Sequence, residues 1–471
     1  MFRAMGAMRA VLGVVGGVLG VGAAIAGTTA FVRGRARKLV RRGKNRAVGL
    51  PLNHETGPES LSGYLWQATG DRLIPGNRVT WCFDTGIFDA IHRAFEEATC
   101  TIRVAIYIWK PGQPGERMVE ACCRAAARGV QVQIVVDPLG SQGFEEELLP
   151  RLKAAGCEVR PFRKPGAVSP LRLTGRLHRK LVLVDDRIAF TGGFAFAPDW
   201  LHGAEDAPRA WRDTHARIEG PVVVDVLQAF ATTWLEAAGQ LLELSEGPER
   251  PPPVPQDSDG GAPEHPTSPE DAPPEHPADA TVARRGSAWA AFVASRESAG
   301  WTDSFLLLWL SMVAARSRLW IANAYFAPPA ELLELLCHKG RMGVDVRVLL
   351  PGPHIDHAVS RWAQRSTYGT LLAAGVRVFE YQPSMMHAKT LLVDDRLSVV
   401  GSINLDPLSL YWLEEGSLVV DDPEVNASLA RQWARDQARC VEVERAPRLG
   451  FLRPPRWTSK RLPRRLAGLL G

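Results

Sequence analysis

The feature that most constrains the fold of this 471-residue chain is a pattern that occurs twice. In residues 177–187, and again in residues 386–396, a histidine is followed by a lysine two positions later and by an aspartate seven positions later. After seven more positions comes a pair of small residues, Gly192-Gly193 in the first copy and Gly401-Ser402 in the second. The matched spacing predicts an internal duplication, in which two halves of the chain share one fold.

Each copy brings together two ionisable side chains. On a β-strand, residues i and i+2 face the same way, so His178 and Lys180 should share one face, as should His387 and Lys389. A histidine can act as a nucleophile or proton carrier near neutral pH, and a lysine beside it supplies positive charge for a phosphate. The sequence therefore predicts two half-sites suited to phosphoryl chemistry.

The repeated aspartates, Asp185 and Asp394, need a separate argument. Their place in the pattern puts both among the candidate catalytic residues. However, an odd number of positions separates each aspartate from its histidine, so a regular strand directs the two side chains to opposite faces. We therefore expect both aspartates to have a structural role or to support the histidines without contacting the substrate.

Alternating helical and strand-like patterns predict an α/β fold. The aliphatic runs at 130–137 and 344–351 are typical of buried strands, and each is followed by a helical stretch that ends in Ala-Ala-Gly. Each half should therefore be a mostly parallel or mixed sheet flanked by helices. We place the first half at 76–245 and the second at 286–444. Residues 246–285, rich in proline and acidic residues, are predicted to form an extended linker.

Both ends of the chain are basic. Within residues 1–46, an uncharged run at 11–32 is long enough to cross a membrane as a helix, and many arginines and lysines follow it. Because positive charge tends to remain in the cytoplasm, we expect one span in the cell membrane, with the catalytic part in the cytoplasm. A cleavable signal peptide is the alternative. The basic tail at 445–471 would suit an anionic membrane surface, or equally nucleic acid.

The repeated segments resemble the HxK(x)4D(x)6G(G/S)xN motifs of the phospholipase D superfamily. The second copy is complete through Asn404, whereas Ala195 occupies the corresponding position of the first copy. The resemblance covers most of 80–245 and 286–445, and among members of the superfamily the bacterial cardiolipin synthases look closest. It implies that the two halves pack about a pseudo-twofold axis, with one active site at their interface.

The resemblance also implies a two-step transfer through a phospho-histidine. His178 would attack phosphorus, while His387 would protonate the leaving alkoxide and then deprotonate the acceptor alcohol. The residues expected to bind the substrate or support the histidines are Lys180, Lys389 and Asn404 at the phosphate, Gly193 and Ser402 against the ligand, and Asp213 and Glu415 as supporting carboxylates. No metal or other cofactor is expected, because the lysines supply the charge. The seven cysteines contain no CxxC pair that would favour a zinc site.

The implied reaction is phosphatidyl transfer, in which two phosphatidylglycerol molecules give cardiolipin and glycerol. A hydrolytic phospholipase D would use the same residues with water as acceptor, so the sequence leaves that alternative open. A nuclease or nucleic-acid-binding protein on the same scaffold is another alternative, and Ala195 raises that of an inactive membrane scaffold. We expect anionic phospholipid and the membrane surface as partners and no nucleic acid. The sequence does not indicate an oligomeric state.

Overall fold

One 15-stranded sheet organises the part of the chain that the structure describes. The structure is a computed structural model, and it describes residues 58–163, 175–202, 210–244, 286–298 and 301–447. The expected membrane segment at 11–32, the linker at 246–285 and most of the basic tail lie outside these ranges. No helix within the described ranges is long and apolar enough to cross a membrane.

The described part of the first half contributes seven strands to the sheet. They are β1 (Ile74–Phe83), β2 (Thr101–Ile106), β3 (Gln131–Val136), β4 (Glu158–Pro161), β5 (Leu181–Val184), β6 (Ile188–Gly192) and β7 (Thr214–Glu219). The helices are α1 (Pro58–Thr69), α2 (Gly86–Glu97), α3 (Gly115–Ala127), α4 (Leu149–Ala154), α5 (Asp199–His202) and α6 (Val223–Ala238), and a π-helical turn at Phe144–Leu148 precedes α4.

The described part of the second half contributes eight strands. They are β8 (Ala288–Ser295), β9 (Arg318–Ala322), β10 (Asp345–Pro351), β11 (Arg377–Tyr381), β12 (Thr390–Val393), β13 (Leu397–Gly401), β14 (Glu415–Asp421) and β15 (Cys440–Glu442). The helices are α7 (Asp303–Ala314), α8 (Ala330–Arg341), α9 (Ala358–Leu372), α10 (Pro407–Trp412) and α11 (Pro423–Gln437).

The strand order is the same in both halves, as the duplication predicts. It runs β4-β3-β2-β5-β6-β7-β1 in the first half and β11-β10-β9-β12-β13-β14-β8 in the second, with β15 beside β11 at the edge. In each half, three neighbouring strands are parallel and connected by helices, while the others pair antiparallel. The predicted α/β class with two similar halves is confirmed.

Local sequence signals account for several element ends. The two Ala-Ala-Gly segments follow α4 and α9, and their glycines, Gly156 and Gly375, have φ values of 87° and 80°. This left-handed conformation ends a helix and favours glycine, because any side chain would be strained there. The chain can therefore turn directly from each helix into the next strand of the parallel group.

The two halves meet along an antiparallel pairing of β1 with β8 and share an apolar core. Trp81 on β1 is buried, and its indole N–H donates a hydrogen bond of 2.9 Å to the carbonyl of Val425 in α11. The same core cluster includes Val79 of the first half together with Leu418 and Val420 of the second. Because this core is continuous, it holds the segments before β5 and β12 in a fixed relation.

Candidate active site

His178 lies three residues before β5 and Lys180 directly before it, so neither is on the strand as the sequence predicted. The main hydrogen-bond partner of His178 comes from the other half. Its Nδ1 atom is 2.9 Å from Oε1 and 3.0 Å from Oε2 of Glu415, the first residue of β14. The Glu415 side chain is 0% exposed, and the His178 side chain is 12% exposed. A carboxylate at Nδ1 fixes the imidazole tautomer and directs Nε2 toward a ligand.

Two hydroxyl groups hold Glu415 in this position. Ser402 Oγ donates a 2.5 Å hydrogen bond to Oε2, and Ser409 Oγ donates to Oε1. Both serines are buried in the second half. Both oxygens of the carboxylate that contacts the imidazole are therefore also held by a hydroxyl group.

His387 lies three residues before β12 and has the reciprocal arrangement. Its Nδ1 atom is 2.8 Å from Oδ2 of Asp213, which directly precedes β7 of the first half. The Trp200 indole N–H donates to the same oxygen at 3.0 Å, and the Thr214 backbone N–H donates to Oδ1 at 2.7 Å. Each histidine is thus held by a carboxylate from the opposite half. The sequence predicted these carboxylates but not which histidine each one contacts.

Backbone pairing explains this crossed arrangement. The His178 N–H donates to the Glu414 carbonyl at 2.9 Å, and the His387 N–H donates to the Arg212 carbonyl at 2.7 Å. Parallel bridges join Leu177 to Glu414 and Met386 to Arg212. The segment that carries each histidine therefore pairs with the segment that carries its carboxylate, and both half-sites form only where the halves join.

The two lysines of the pattern are buried beside the histidines. Lys180 Nζ donates to the His178 carbonyl at 2.5 Å, and Lys389 Nζ lies 2.8 Å from Nε2 and 2.9 Å from Nδ1 of His387. Burial lowers the pKa of Lys180 to about 8 and that of Lys389 to about 7, although the carboxylates Asp213 and Glu415 oppose the shift. Because the ammonium groups are removed from water, a bound anion would stabilise their charged form.

The pKa directions show that charged groups of each half-site affect the histidine of the other. Burial is the main cause that lowers the pKa of both histidines, and the lysine of the opposite half lowers each further. Burial alone would raise the pKa of the two carboxylates, but the neighbouring imidazole and lysine groups outweigh it, and the pKa of each carboxylate is lowered. Burial therefore disfavours the charged form of both imidazoles and both lysines, whereas the two carboxylates are stabilised in their charged form by the groups around them.

Aromatic rings enclose His387 much more than His178. Ring centroids of Trp200, Trp211 and Tyr325 lie 4.9, 5.1 and 6.2 Å from that of His387. His178 has Tyr107 at 5.6 Å. Residue patterns alone did not place the two tryptophans at the site. One signal was available, because Trp200 and Ser409 occur the same number of residues after the two histidines and both donate to a carboxylate.

Comparison with known proteins identifies the family of both halves. A family model described as "Cardiolipin synthase, PLD-like domain" matches residues 91–214 and 311–437, one match in each half. The chain belongs to this phospholipase D-like family. It is 30% identical to a cardiolipin synthase A of Pectobacterium atrosepticum, over 79% of this chain and 69% of that one. It is 31% identical to a cardiolipin synthase A of Erwinia tasmaniensis, over 76% of this chain and 68% of that one.

A solved structure shares the fold. The crystal structure of a phosphatidylserine synthase from Haemophilus influenzae matches 79% of this chain and 88% of its own, with a TM-score of 0.57 and 14% sequence identity. At this identity the match supports the phospholipase D-like fold alone.

Two residues that the family motif suggested as ligand contacts, Gly193 and Ser402, also adjoin the carboxylates that hold the histidines. The Ser402 hydroxyl is engaged by Glu415, so it orients a carboxylate. A Cβ atom on Gly193 would lie 2.4 Å from Oδ1 of Asp213, so the glycine makes room for the other carboxylate. Gly193 and Ser402 occupy the same motif position, yet one removes a side chain and the other supplies a hydroxyl.

The asparagine position of the phospholipase D-like motif differs between the halves. Asn404 is 3% exposed, its backbone N–H donates to Ser409 Oγ at 2.8 Å, and its side-chain oxygen has no hydrogen-bond partner among the described residues. Buried amides normally satisfy their hydrogen bonds, so this oxygen is available to accept one from a ligand hydroxyl. Ala195 is buried in the apolar cluster of the first half and offers no polar group. The two half-sites are therefore chemically unequal.

The motif aspartates lie at the hairpin turns, away from the histidine segments. Asp185 accepts backbone N–H bonds from Thr99, Cys100 and Thr101, and Asp394 accepts them from Arg316, Ser317 and Arg318. The φ values of Asp185 and Asp394 are 51° and 50°, as tight hairpin turns require. These contacts favour the structural role that we expected for both aspartates, although each histidine lies before the strand and each aspartate after it, so strand parity is not the reason.

The described residues contain no group of three or more histidine, cysteine, aspartate or glutamate side chains that could hold a metal ion. The positive charge available to a phosphate at this site is that of Lys180 and Lys389.

Proposed function

We propose that this chain is a phosphatidyltransferase that forms cardiolipin from two phosphatidylglycerol molecules and releases glycerol. The observation that carries the proposal is the meeting of two carboxylate-bound histidines and two buried lysines in one site. Two histidines allow one to bond covalently to phosphorus while the other transfers protons. The choice of lipid follows the relatives, which are cardiolipin synthases by name.

In the first step, Nε2 of His178 attacks the phosphorus of one phosphatidylglycerol. The bond from phosphorus to the glycerol oxygen breaks, and His387 donates a proton to that oxygen, so that glycerol leaves. Glu415 holds the His178 ring and stabilises the positive charge that develops on it. The product of this step is a phosphatidyl group bonded to His178.

In the second step, the hydroxyl of a second phosphatidylglycerol gives its proton to Nε2 of His387 and attacks phosphorus. The phosphorus–nitrogen bond breaks, which releases cardiolipin and returns His178 to its neutral form. Asp213 keeps the acceptor nitrogen of His387 directed at the ligand, since its carboxylate occupies Nδ1. The same histidine therefore acts first as an acid and then as a base.

The phosphate oxygens would bind to Lys180, Lys389 and the Asn404 amide. Charged donors in a water-poor site stabilise the charge that builds up in the transition state. The negative charge of a bound phosphodiester would also oppose the lysines and raise the pKa of His387, which supplies the imidazolium that the first step needs. Because Ala195 offers no donor, the second half provides more of the phosphate contacts than the first.

The proposed substrate places the reaction at a membrane surface rich in anionic phospholipid. The expected single span at 11–32 and a cytoplasmic catalytic part belong to the proposal, and that span lies outside the described residues.

Lipid mass spectrometry tests the proposed function. Purified protein and its His178→Ala variant would be incubated with phosphatidylglycerol vesicles. The control variant is His338→Ala, which changes a partly buried histidine on α8. Cardiolipin plus free glycerol from the parent and the control, with neither from His178→Ala, is the expected result. Phosphatidic acid as the sole product would indicate a hydrolase. No lipid product from the parent would overturn the proposal.

The identity of the nucleophile has its own test. A phosphatidyl group on imidazole is acid-labile and stable to base, so peptides from quenched reactions can be mapped without acid. We expect the adduct on the peptide that contains His178. An adduct on the His387 peptide would reverse the two histidine roles and leave the overall transfer in place.

A further inference from the structure

A cluster of three polar side chains lies beside His387. The Tyr325 hydroxyl donates a 2.6 Å hydrogen bond to Oδ2 of Asp356, in the loop between β10 and α9. The His357 ring stacks on the Tyr325 ring at 6.1 Å, and its Nε2 atom is 3.6 Å from the same Asp356 oxygen. Since the Tyr325 ring is itself 6.2 Å from the His387 ring, the cluster adjoins the proposed acid–base group.

The side chains of this cluster are more exposed than that of His387. The His387 side chain is 7% exposed, that of Asp356 is 23% exposed and that of His357 is 69% exposed. Burial and the Asp356 carboxylate raise the pKa of Tyr325, so the phenol keeps its proton and donates. The other rings against His387 are the indoles of Trp200 and Trp211, which present mainly apolar surface.

The first half has no matching phenol at this position. Parallel bridges join Trp109 to Phe196 and Phe326 to Leu405, and Phe196 and Leu405 follow the two histidines at the same spacing. This register aligns Tyr325 with Ile108, although both Tyr107 and Tyr325 end similar strand patterns in the sequence. The phenol beside His387 therefore comes from a different backbone position than Tyr107, the phenol beside His178, and the position that matches Tyr325 in the first half is aliphatic.

We propose that Tyr325, Asp356 and His357 form the acceptor subsite, and that they select an alcohol with a second hydroxyl next to the reacting one. The inference rests on the proposed function, in which the acceptor gives its proton to His387. With the reacting hydroxyl at Nε2 of His387, the neighbouring hydroxyl donates to the Asp356 carboxylate. A carboxylate that accepts one bond from Tyr325 retains further lone pairs for this purpose.

The second hydroxyl does not change the bonds that form and break in the transfer. The oxygen–phosphorus bond to the acceptor forms, the phosphorus–nitrogen bond to His178 breaks, and the hydroxyl proton moves to His387. The second hydroxyl keeps its proton and serves only for recognition. The glycerol head group of phosphatidylglycerol carries such a pair of adjacent hydroxyls, whereas water and simple alcohols do not.

A competition experiment tests this subsite directly. The enzyme would receive phosphatidylglycerol vesicles with equal concentrations of 1,2-propanediol and 1-propanol, which differ by one hydroxyl, and the two phosphatidyl alcohols would be quantified by mass spectrometry. We expect the parent to favour the diol about tenfold, the size of one hydrogen bond to a charged group. Asp356→Ala should bring the ratio close to one, and Tyr325→Phe should lower it, because Asp356 then loses its hydrogen bond.

The ratio is measured within one reaction, so it does not depend on how much of a variant is folded. Asp89→Ala, which changes an exposed aspartate on α2, is the control and should keep the parent ratio. Asp356→Asn offers a second variant of nearly unchanged shape. A diol preference that persists in both Asp356 variants, or a parent ratio near one, would overturn the subsite and leave phosphatidyl transfer standing. If the parent formed neither cardiolipin nor a phosphatidyl alcohol, the proposed function itself would be overturned.

Discussion

The Nδ1 atom of His387 lies 2.8 Å from Oδ2 of Asp213, although the two residues belong to different halves of the duplicated chain. The contact between His178 and Glu415 repeats this crossing in the opposite sense. A single half would present a histidine without the carboxylate that orients it. Duplication therefore gives this site its oriented imidazoles as well as two copies of each group.

Asp213→Asn should lower kcat by about two to four orders of magnitude with little change in folding. An amide can offer its N–H to Nδ1 of His387 and so hold the imidazole in the wrong tautomer. The rate of glycerol release from phosphatidylglycerol vesicles measures the effect. Asp89→Asn is the matched surface control. A kcat within about threefold of the parent would mean that Asp213 does not orient His387.

Asp185→Asn and Asp394→Asn should mainly affect stability. Each carboxylate accepts three backbone N–H bonds that join a hairpin turn to the loop before a neighbouring strand. Loss of the charge should cost about 1–3 kcal/mol of unfolding free energy in each variant. Thermal unfolding measures this loss, and kcat per folded molecule should stay close to the parent value. A hundredfold fall in kcat without a fall in Tm would return these aspartates to the catalytic group.

The sequence predicted which residue types form this site better than it predicted which residues contact each other. Spacing alone singled out His178, His387 and their lysines as candidates, and the odd separation of each aspartate from its histidine predicted a structural role for the aspartates. Neither argument indicates which half supplies the carboxylate to a given histidine, because that depends on how two sheets meet. The same limit applies to Tyr325, whose alignment with Ile108 follows from bridge register and is invisible in residue patterns.

Gly193→Ala should lower activity by at least about tenfold. The new Cβ atom would lie 2.4 Å from Oδ1 of Asp213, so the carboxylate must move and the His387 ring with it. Gly86→Ala is the control, since a Cβ atom there meets nothing within 4 Å. Activity and circular dichroism would be compared for both variants. Parent-like activity in Gly193→Ala would show that Asp213 can shift without harm to the site.

A buried ion pair beside His178 should behave differently in single and double variants. The Arg179 guanidinium donates to Glu414 Oε2 at 2.6 Å and to the Ser295 carbonyl at 2.9 Å, and both charged side chains are almost fully buried. Arg179→Met should cost about 3–5 kcal/mol, because it leaves a buried carboxylate with less compensation. The double variant with Glu414→Met should recover much of that loss. Denaturant unfolding measures both, and simple addition of the two single losses would contradict the prediction.

The pH dependence of kcat/KM should reflect the lysines. Burial lowers the pKa of Lys389 to about 7 and that of Lys180 to about 8, so the charged fraction of each falls as pH rises through this window. An uncharged lysine cannot attract the phosphodiester, and kcat/KM reports groups of the free enzyme. We therefore expect kcat/KM to decline above about pH 7–8, well below the range of an ordinary lysine.

The profile of kcat should decline at higher pH than that of kcat/KM, because a bound phosphodiester stabilises the ammonium groups. Lys389→Arg is the informative variant, since a guanidinium stays charged throughout the range. Its kcat/KM should be lower at neutral pH, where the guanidinium fits the lysine position poorly, but its alkaline decline should move upward. Initial rates of the parent and the variant from about pH 6 to about pH 10 would show whether the alkaline decline moves. A parent profile that stays flat to about pH 10 would mean that neither lysine loses its proton in the free site.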